Sequence, residues 1–566
     1  MMIDFPPGLI LILGALMVPF LQGYLRGIYL LALPVVSAVM LYNLPDGSHF
    51  AITAFGQQLE LLRVDPLSRI FCYVFLIAIF LGIIYSLHLR AIEEHLSGLI
   101  YSGAAIGAVF AGDLISLFVY WELTAISSVF LILARRTPEA LAASMRYLMI
   151  QVGSGVLLLA GLIIRWNETG STAFGHIGLE SFGGVLIFIA FGIKAAFPLL
   201  HNWLQDAYPQ ATPTGTVLLS AFTTKLAIYA LARGYAGTQE LIWIGTIMAV
   251  FPIFFAVIEN DLRRVLSYSL NNQLGFMVVG IGIGTELALN GTAAHAFSHI
   301  IYKALLFMSM GAVLHRTGTV LASELGGLYK TMPFTSIFCI IGAASISAFP
   351  LFCGFISKSM ILSAVAYEGH YWVWMLLLLA SAGVIHYSGV KVPYFAFFAN
   401  DSKKRPKEAP LNMLIAMALA SILCIGIGVW PSSLFYILPF EVNYVPYTDS
   451  HVLSQIQLLF FSALSFAVLI KTGLYPIQSR STILDSDWIY RRLATSILTS
   501  ITNAVLRLHS NLFDVTILRV RRLVDQLYKH HGPQGILART WPTGSMVLWV
   551  AIFLGIYLLL YFIKNI

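Results

Sequence analysis

The sequence predicts an all-α membrane protein with many spans, and three observations lead to that prediction. Hydrophobic residues make up 58% of the 566 residues, whereas Asp, Glu, Lys and Arg make up 10%. An ordinary soluble domain carries about 25% charged residues. The mean hydropathy is +0.84, and apolar stretches long enough to cross a bilayer recur along the chain. A soluble protein of several domains, at roughly 150 residues each, is therefore excluded.

The apolar stretches set the order of the predicted elements. A spanning helix needs about 20 mostly apolar residues, and the sequence contains about sixteen such stretches. They centre near residues 8–22, 27–43, 66–86, 97–111, 114–134, 146–165, 182–204, 214–233, 241–258, 264–283, 291–314, 333–364, 372–398, 411–430, 453–471 and 544–563. The segment 50–64 alternates apolar and polar residues, which predicts a small hairpin outside the membrane.

Basic residues in the connections predict the orientation of the spans. Up to the fifteenth span, the connections that follow odd-numbered spans, with the span ends beside them, contain thirteen Lys or Arg residues, and those that follow even-numbered spans contain four. Because positive residues favour the cytoplasmic side, we expect the odd-numbered connections in the cytoplasm and the N-terminus outside. A membrane protein acquires a basic excess from its cytoplasmic loops, so the net charge of +7 does not make nucleic acid an expected partner.

The segment 488–528 differs from the spans because it is cationic and amphipathic. Its apolar side chains recur with helical spacing and form one stripe. They are Ile489, Leu493, Ile497, Ile501, Val505 and Leu508. We expect this helix to lie in the cytoplasmic membrane interface; a loosely held basic tail is the alternative.

Ionisable residues inside the predicted spans are the candidate functional residues. Each costs about 2.5–3.5 kcal/mol to insert at the bilayer centre, so such residues tend to face a hydrated interior and to mark ion or proton paths. The candidates are Glu122, Lys194, Lys225, His295, His299, Lys303, Lys358, His386 and Lys391. Three of them have simpler alternatives: Lys391 could extend to the interface, His295 could be a packing residue, and Glu122 could join two helices by pairing with a lysine.

Two spans combine a buried lysine with a helix breaker. Lys194 precedes Pro198 by four residues, and Lys358 follows Pro350 by eight. Proline frees a backbone carbonyl, which is tolerated at membrane depth where the broken helix lines a polar cavity. A further lysine follows in the next helix, 31 residues after Lys194 and 33 residues after Lys358. This pattern predicts an internal repeat with sites near the midplane.

The candidate residues do not form a metal or catalytic motif. His295 and His299 have a spacing suited to zinc, but no glutamate lies between them and Lys303 adds a positive charge. The four cysteines are scattered, and we find no nucleophile with a suitable base. The sequence therefore predicts a transporter subunit without a cofactor, a metal or a catalytic site of its own, and leaves open whether it is part of a translocase complex.

Three stretches together resemble the antiporter-like, proton-translocating subunits of respiratory complex I and of Mrp-type multisubunit Na⁺/H⁺ antiporters. They are 121–123, 194–213 and 261–269, the last leading to 295–303. The stretches 391–398 and 485–491 resemble the D-type subunits of Mrp antiporters in particular. One departure is Gln205, because the family often has proline after His-x-Trp-Leu and this chain reads His201-Asn-Trp-Leu-Gln.

The resemblance implies a core of about fourteen transmembrane helices with two inverted five-helix repeats and discontinuous helices. The interfacial segment and one extra span, predicted from the sequence, follow this core and depart from an ordinary D-type subunit. On this basis the chain divides into six parts. They are N-terminal helices 1–95, a first repeat 96–235 broken at Pro198, a second repeat 236–400 broken at Pro350, further helices 401–475, the cytoplasmic interfacial segment 476–540 and a final helix 541–566.

The resemblance also implies a proton path. Glu122 matches the glutamate that pairs with Lys194, Lys225 the central lysine, His299 the relay histidine and Lys358 the terminal lysine. Further candidate relay residues are His295, Lys303, His386 and Lys391.

The function expected from this resemblance is proton translocation within a multisubunit Na⁺/H⁺ antiporter in a bacterial inner membrane. The expected partners are other subunits, protons and, as a second ion, Na⁺. Two alternatives are a proton-pumping subunit of a complex I-like or hydrogenase-like redox complex and a proton module of another uptake system.

Overall fold

The structure is a computed structural model that describes residues 5–54, 56–476, 478–479, 483, 485–533, 535 and 543–564. The chain divides into two units, Met1–Asp485 and Ser486–Ile566. Over its described residues, the first unit contains twenty α-helices and one small sheet. The helices of its N-terminal part are α1 (Pro7–Ala15), α2 (Gly23–Asn43), α3 (Pro66–Ser86), α4 (Ile92–Phe110), α5 (Leu114–Leu133) and α6 (Pro138–Thr169).

The helices that follow contain most of the candidate residues. They are α7 (Phe182–Ala195), α8 (Asn202–Ala207), α9 (Pro213–Ala221), α10 (Thr223–Gly234), α11 (Glu240–Val250), α12 (Pro252–Ile258), α13 (Leu262–Ile283), α14 (Glu286–Thr317), α15 (Pro333–Ile346), α16 (Cys353–Tyr367) and α17 (Tyr371–Val384). Two π-helical stretches continue the last of these, Ile385–Lys391 and Tyr394–Phe398. The unit ends with α18 (Leu411–Val429), α19 (Ser432–Phe435) and α20 (Asp449–Lys471).

A two-stranded antiparallel hairpin connects α2 and α3. Strand β1 (Gly47–Ala54) pairs with β2 (Gln57–Val64), with an irregular register near Phe50. This confirms the hairpin predicted at 50–64. Asp65 then caps α3 by accepting the backbone N–H of Ser68 at 2.8 Å. Burial acts to raise the pKa of Asp65, but the adjacent Arg233 guanidinium and the Ser68 N–H outweigh burial and hold this pKa below its usual value.

The fold class predicted from the sequence is confirmed: the chain is a helical polytopic membrane protein. Among the described residues, 11 helices are long and apolar enough to span a membrane. The other predicted spans fall on the short α1, on the polar-rich α4 and α13, and on the broken pairs α7–α8 and α15–α16. Length and apolarity alone therefore undercount spans that are broken or contain polar residues.

The connections alternate between two faces of the first unit. We call the face that holds the connections after odd-numbered spans the odd face, and the opposite one the even face. Contacts between connections on the odd face include Arg26 with the carbonyl of Arg90, Arg135 with that of Pro209, and Lys330 with Asp401. Contacts on the even face include Arg63 with the carbonyl of Phe174, Arg233 with Asp65, and Asn290 with the carbonyl of Phe440.

The two predicted helix breaks have the same sequence and the same backbone. Residues 196–199 and 348–351 both read Ala-Phe-Pro-Leu. The backbone is left-handed at Ala196 and Leu199, with φ of 61° and 69°, and again at Ala348 and Leu351, with φ of 56° and 75°. Non-glycine residues rarely adopt this conformation, and they persist in it only where the surroundings hold them there.

The N-terminal ends of α5 and α13 also correspond to each other. Asp113 caps α5 and forms a β-bridge to Ala173, and Asp261 caps α13 and forms a β-bridge to Leu321. The partners of each bridge are 60 residues apart. Equivalent caps and bridges thus begin the two helices that face the two breaks.

In its described part, the second unit contains two α-helices beyond a π-helical stretch at Ile489–Ala494. They are α21 (Thr495–His531) and α22 (Thr543–Lys564). The helix predicted over 488–528 is present, and its apolar residues are exposed. Its placement in the membrane interface stays a prediction.

Candidate functional site: a row of buried charged residues

Most of the predicted site residues lie buried in the first unit, across α7, α10, α14 and α16. The exposed fraction of these side chains is 0–1%. They are Lys194, Lys225, His295, His299, Lys303 and Lys358. Glu122, on α5, is partly buried. Because isolated charges are costly in an apolar interior, such a set needs polar or hydrated surroundings.

Lys194 lies in the last turn of α7, immediately before the first break. Its ammonium donates to the backbone carbonyl of Trp121 at 2.7 Å and to the Thr124 hydroxyl at 3.0 Å. It also lies 4.2 Å from the centre of the Trp121 ring. The C-terminal position on α7 favours a positive charge there. Lys194 is therefore held by α5, the helix that also carries Glu122.

Glu122 interacts electrostatically with Lys194, but the structure, which describes both residues, shows no ion pair between them. Oxygen Oε1 of Glu122 is buried without a hydrogen-bond partner among the described residues. It packs against Gly155 of α6, where a Cβ would overlap the carboxylate. The predicted pairing of Glu122 with Lys194 stays a prediction, and it requires a rotation of one side chain.

Lys225 lies at an irregularity between α9 and α10. At this point Phe222 has φ −98° and ψ −65°, and the Lys225 ammonium donates to the carbonyl of Ser220 at 2.6 Å. The backbone N–H of Thr223 donates to the hydroxyl of Tyr101 at 2.9 Å. The freed backbone groups are therefore satisfied by side chains, which is the condition for non-helical backbone at membrane depth.

A column of three ionisable side chains follows α14, as the i, i+4, i+8 spacing predicts. Both ring nitrogens of His299, Nε2 of His295 and the ammonium of Lys303 are buried without a hydrogen-bond partner among the described residues. His299 interacts electrostatically with both Lys225 and Lys358. The column therefore interacts with Lys225 and with Lys358, the lysine of the second break.

Lys358 lies in the second turn of α16, after the second break. Its ammonium donates to the carbonyl of Ile346 at 3.1 Å, a group that the break leaves free, and lies 5.2 Å from the centre of the Phe276 ring. The neighbouring Ser357 hydroxyl is 2.9 Å from Nδ1 of His295. Lys358 and the α14 column are therefore directly adjacent.

A polar turn of α13 lies among these groups. Gln273 donates to the side-chain oxygen of Asn272 at 2.6 Å and accepts from the Tyr302 hydroxyl at 3.0 Å. Asn272 also donates to the carbonyl of Ala249. Both polar atoms of Asn271 are buried and have no partner within the described part of the chain. Buried polar atoms of this kind are usually hydrogen-bonded to water, so the turn suits a hydrated interior.

Two of the further candidate residues lie apart from this row. The Lys391 ammonium donates to the carbonyls of Ala256, Val257 and Glu259 at 3.1, 2.7 and 2.6 Å, and so caps the end of α12. The ring of His386 stacks on Tyr475 with centroids 5.5 Å apart. We infer a structural role for Lys391, since three acceptors already satisfy its ammonium.

A buried cluster near the odd face was not predicted from the sequence. Oxygen Oδ2 of Asp485 lies 3.1 Å from Nε2 of His201 and accepts the Tyr268 hydroxyl at 2.9 Å. Nδ1 of His201 has no hydrogen-bond partner in the described structure. Asp485 is 284 residues from His201, so no local pattern could have joined them.

No group of three or more His, Cys, Asp or Glu residues that could hold a metal occurs among the residues that the structure describes. The fold and the row of buried ionisable groups define a class: polytopic membrane proteins with ionisable side chains buried among their helices.

Comparison with known proteins places the chain within that class. Residues 111–384 match the family described as NADH:quinone oxidoreductase/Mrp antiporter, transmembrane. The D subunit of the Na⁺/H⁺ antiporter of Alkalihalophilus pseudofirmus is 31% identical over 337 residues, which cover 56% of this chain and 67% of that protein. The chain belongs to this NADH:quinone oxidoreductase/Mrp antiporter family, which confirms the resemblance seen in the sequence.

Two further similarities extend beyond the matched segment. Hydrogenase-4 component B of Escherichia coli is 29% identical over 421 residues, 65% of this chain, and the chain spans only 62% of the length of that relative. The solved structure of the Mrp complex from Dietzia sp. DQ12-45-1b superposes with a TM-score of 0.76 at 24% identity, over 92% of this chain and 62% of that one. This structural match concerns the fold.

Proposed function

We propose that this chain is the proton-translocating subunit of a multisubunit Na⁺/H⁺ antiporter. The observation that supports this most directly is the series of buried titratable groups from Glu122 and Lys194, through Lys225 and the α14 column, to Lys358. Relatives named as antiporter subunits support the same assignment. The partners are then the other subunits of that assembly.

The contacts suggest how a proton moves along this row. The Lys194 ammonium donates to the Trp121 carbonyl and to the Thr124 hydroxyl. Rotation of Glu122 towards Lys194 stabilises that charge, and rotation away from it favours release of the proton towards Lys225. His299 then passes the proton to Lys358 through ordered water, for which the unpartnered atoms of the α14 column and Asn271 provide sites. Histidine suits this step because its unperturbed pKa is about 6.5.

We further propose the arrangement in the membrane. The odd face lies in the cytoplasm and the N-terminus outside, because basic residues concentrate in the odd-numbered connections. The membrane is the bacterial inner membrane. Residues 96–235 and 236–400 form the two inverted repeats, supported by the identical backbone at the two breaks and by the equivalent β-bridges. Sodium uses a path at a partner subunit, since Glu122 is the one carboxylate that the sequence places well inside a span.

A second function has its own supporting observation. Hydrogenase-4 component B is similar to 65% of this chain, so a proton-pumping subunit of a redox complex is the alternative. Purification of the native complex distinguishes the two, because iron–sulfur or flavin subunits would copurify with a redox-driven pump.

The test is proton flux in membrane vesicles that contain the assembled complex. We expect Lys225→Ala to abolish flux, because it removes the central group of the row. Lys471→Ala is the matched control, since Lys471 is exposed at the end of α20 and should leave flux unchanged. Wild-type flux in a normally assembled Lys225→Ala complex would refute the proposal.

A further inference from the structure

A basic loop on the odd face connects two helices that are long and apolar enough to span a membrane, Tyr371–Phe398 and Leu411–Val429. We call residues 399–410 the basic loop. Four basic residues occur within five consecutive positions of this loop, and all four are at least partly exposed. They are Lys403, Lys404, Arg405 and Lys407.

Hydrogen bonds hold the basic loop against the connection before α15. The backbone N–H and the hydroxyl of Ser402 donate to the carbonyl of Gly326 at 3.3 and 2.9 Å. The backbone N–H of Lys403 donates to the carboxylate of Asp401 at 2.9 Å. Because this backbone is already ordered, a ligand of the loop would not have to order it on binding, which favours affinity.

The two carboxylates of the basic loop are both engaged by neighbouring groups. Asp401 pairs with Arg405 at 2.6 Å and with Lys330 at 3.2 Å. Glu408 accepts the backbone N–H of Phe334, at the start of α15, at 2.9 Å. Neither carboxylate pairs with the lysines that remain in the loop.

Three ammonium groups of the basic loop have no hydrogen bond or ion pair to any residue that the structure describes. We call them the loop lysines; they are Lys403, Lys404 and Lys407. Other basic side chains of the odd face donate within the protein, such as Arg135 to the carbonyl of Pro209 and Arg146 to Asp206. The loop lysines therefore form a positive surface that nothing in the described chain neutralises.

Exposed aromatic side chains lie beside this surface. Tyr329 stacks on Phe398 with ring centroids 5.5 Å apart, and the two residues are 45% and 47% exposed. The ammonium of Lys330, which pairs with Asp401, lies 5.9 Å from the centre of the Tyr329 ring. Aromatic rings accumulate at the level of the lipid headgroups, and clusters of basic residues next to the end of a span attract anionic lipids.

We propose that the basic loop binds the headgroup of an anionic phospholipid in the odd-face leaflet. The loop lysines contact the phosphate, and the Tyr329–Phe398 pair lies against the upper part of the acyl chains. A lipid supplies a negative and an apolar group side by side, which matches lysines next to exposed aromatic rings at the ends of two spans. The proposal concerns lipid and not the transported ions, so it does not depend on the proposed function.

The rival occupant is an acidic segment of a partner subunit, and photochemical crosslinking distinguishes the two. The probe is p-benzoylphenylalanine in place of Phe398, within the full complex, in vesicles of equal amounts of phosphatidylglycerol and phosphatidylethanolamine. Illumination joins the probe to the molecule that contacts it, and mass spectrometry identifies the product. The same probe in place of Tyr329 reports if the first variant does not assemble.

Two charge variants are combined with the probe. The test variant carries Lys403→Gln, Lys404→Gln and Lys407→Gln together, which keeps polar side chains and removes the three charges. The control carries Lys471→Gln, since Lys471 is exposed at the end of α20 on the same face.

We expect the probe to form at least about fivefold more product with phosphatidylglycerol than with phosphatidylethanolamine, because the loop lysines attract the anionic headgroup. This ratio should fall to about one in the test variant and stay unchanged in the control. Equal products with both lipids in the complex that keeps its lysines would overturn the proposal, as would an unchanged ratio in the test variant. Crosslinks to a partner subunit in place of lipid would assign the surface to a protein contact and overturn it as well.

Discussion

At the first break, Lys194 precedes the proline and donates across to the carbonyl of Trp121 in α5, whereas at the second break Lys358 follows the proline and donates back to the carbonyl of Ile346 in α15. The backbone of the two breaks is the same. The difference therefore lies in the side of the break on which the lysine stands, and hence in the neighbour that it reaches.

The groups that surround Lys194 and Lys358 also differ. Lys194 has a carboxylate nearby in Glu122, while Lys358 borders a cavity between α16, α17 and α20 that is lined by both polar and apolar residues. Among the described residues that line this cavity, none is acidic. The comparison therefore separates a lysine with a carboxylate nearby from one whose cavity offers hydroxyl, imidazole and amide groups as polar neighbours.

The largest expected effect comes from displacing the Glu122 carboxylate without replacing any charged residue. In Gly155→Ala the new methyl group would overlap the Glu122 carboxylate, so Glu122 must turn away from its present position. We expect proton flux to fall about a hundredfold, equivalent to about 2.7 kcal/mol.

The control for that variant is two residues away on the same helix. At Gly153 a Cβ meets open space, so Gly153→Ala should retain wild-type flux in a complex of equal abundance. Equal flux in both alanine variants would show that the position of Glu122 is unimportant.

The next effect concerns the second break. Gly428 of α18 packs against the backbone of Leu351, and the Cβ of Gly428→Ala would overlap the Leu351 carbonyl. Overpacking of this kind costs typically 1–3 kcal/mol, so we expect a lower thermal midpoint of the purified complex. Gly426→Ala, where a Cβ meets nothing, should not lower it; a similar loss in both would refute the contact.

A smaller loss of proton flux is expected from a change in the buried cluster near the odd face. Asp485→Asn keeps the shape of the side chain but removes the charge beside His201 and Tyr268. Hydrogen bonds to charged groups contribute about 1.5–3 kcal/mol, and we expect about a tenfold loss of flux. Asp449→Asn at the exposed start of α20 is the control, and equal flux in both variants would show that the charge of Asp485 does not affect transport.

The smallest effect tests whether the two breaks store the same strain. Ala196→Gly and Ala348→Gly place glycine where φ is 61° and 56°. Glycine adopts this conformation without the steric cost that alanine has, although it loses more entropy on folding. We expect a gain of about 0.5 kcal/mol or less at each site, measured as the thermal midpoint, and a loss at one site alone would show that the breaks are not equivalent.

The sequence predicted the spans, the two breaks and the α14 column because these depend on neighbouring residues of one helix. Apolar length, proline and the four-residue spacing are all visible along the chain. It could not predict that the Lys391 ammonium caps α12 or that Asp485 lies against His201. Such contacts join residues more than a hundred positions apart and depend on how separate helices pack.

The same distinction between local sequence pattern and helix packing applies to the candidate site. The identity of Glu122 as a candidate followed from its depth in a span, but its packing against Gly155 depends on the close approach of α5 and α6. The cavity beside Lys358 needs three helices at once, and no pattern within α20 distinguishes a cavity wall from a lipid-facing surface.

The π-helical stretch at Ile385–Lys391 has a consequence for how this span tolerates changes in length. Each residue of an α-helix advances about 100° around the axis, and a π turn accommodates one more residue than an α turn. The extra residue turns Lys391 towards the end of α12, away from the direction that a regular continuation of α17 would give it. Deletion of one residue here would therefore rotate the following part of the helix about its axis. The number of residues in this span, as well as their identity, decides which backbone carbonyls Lys391 can contact.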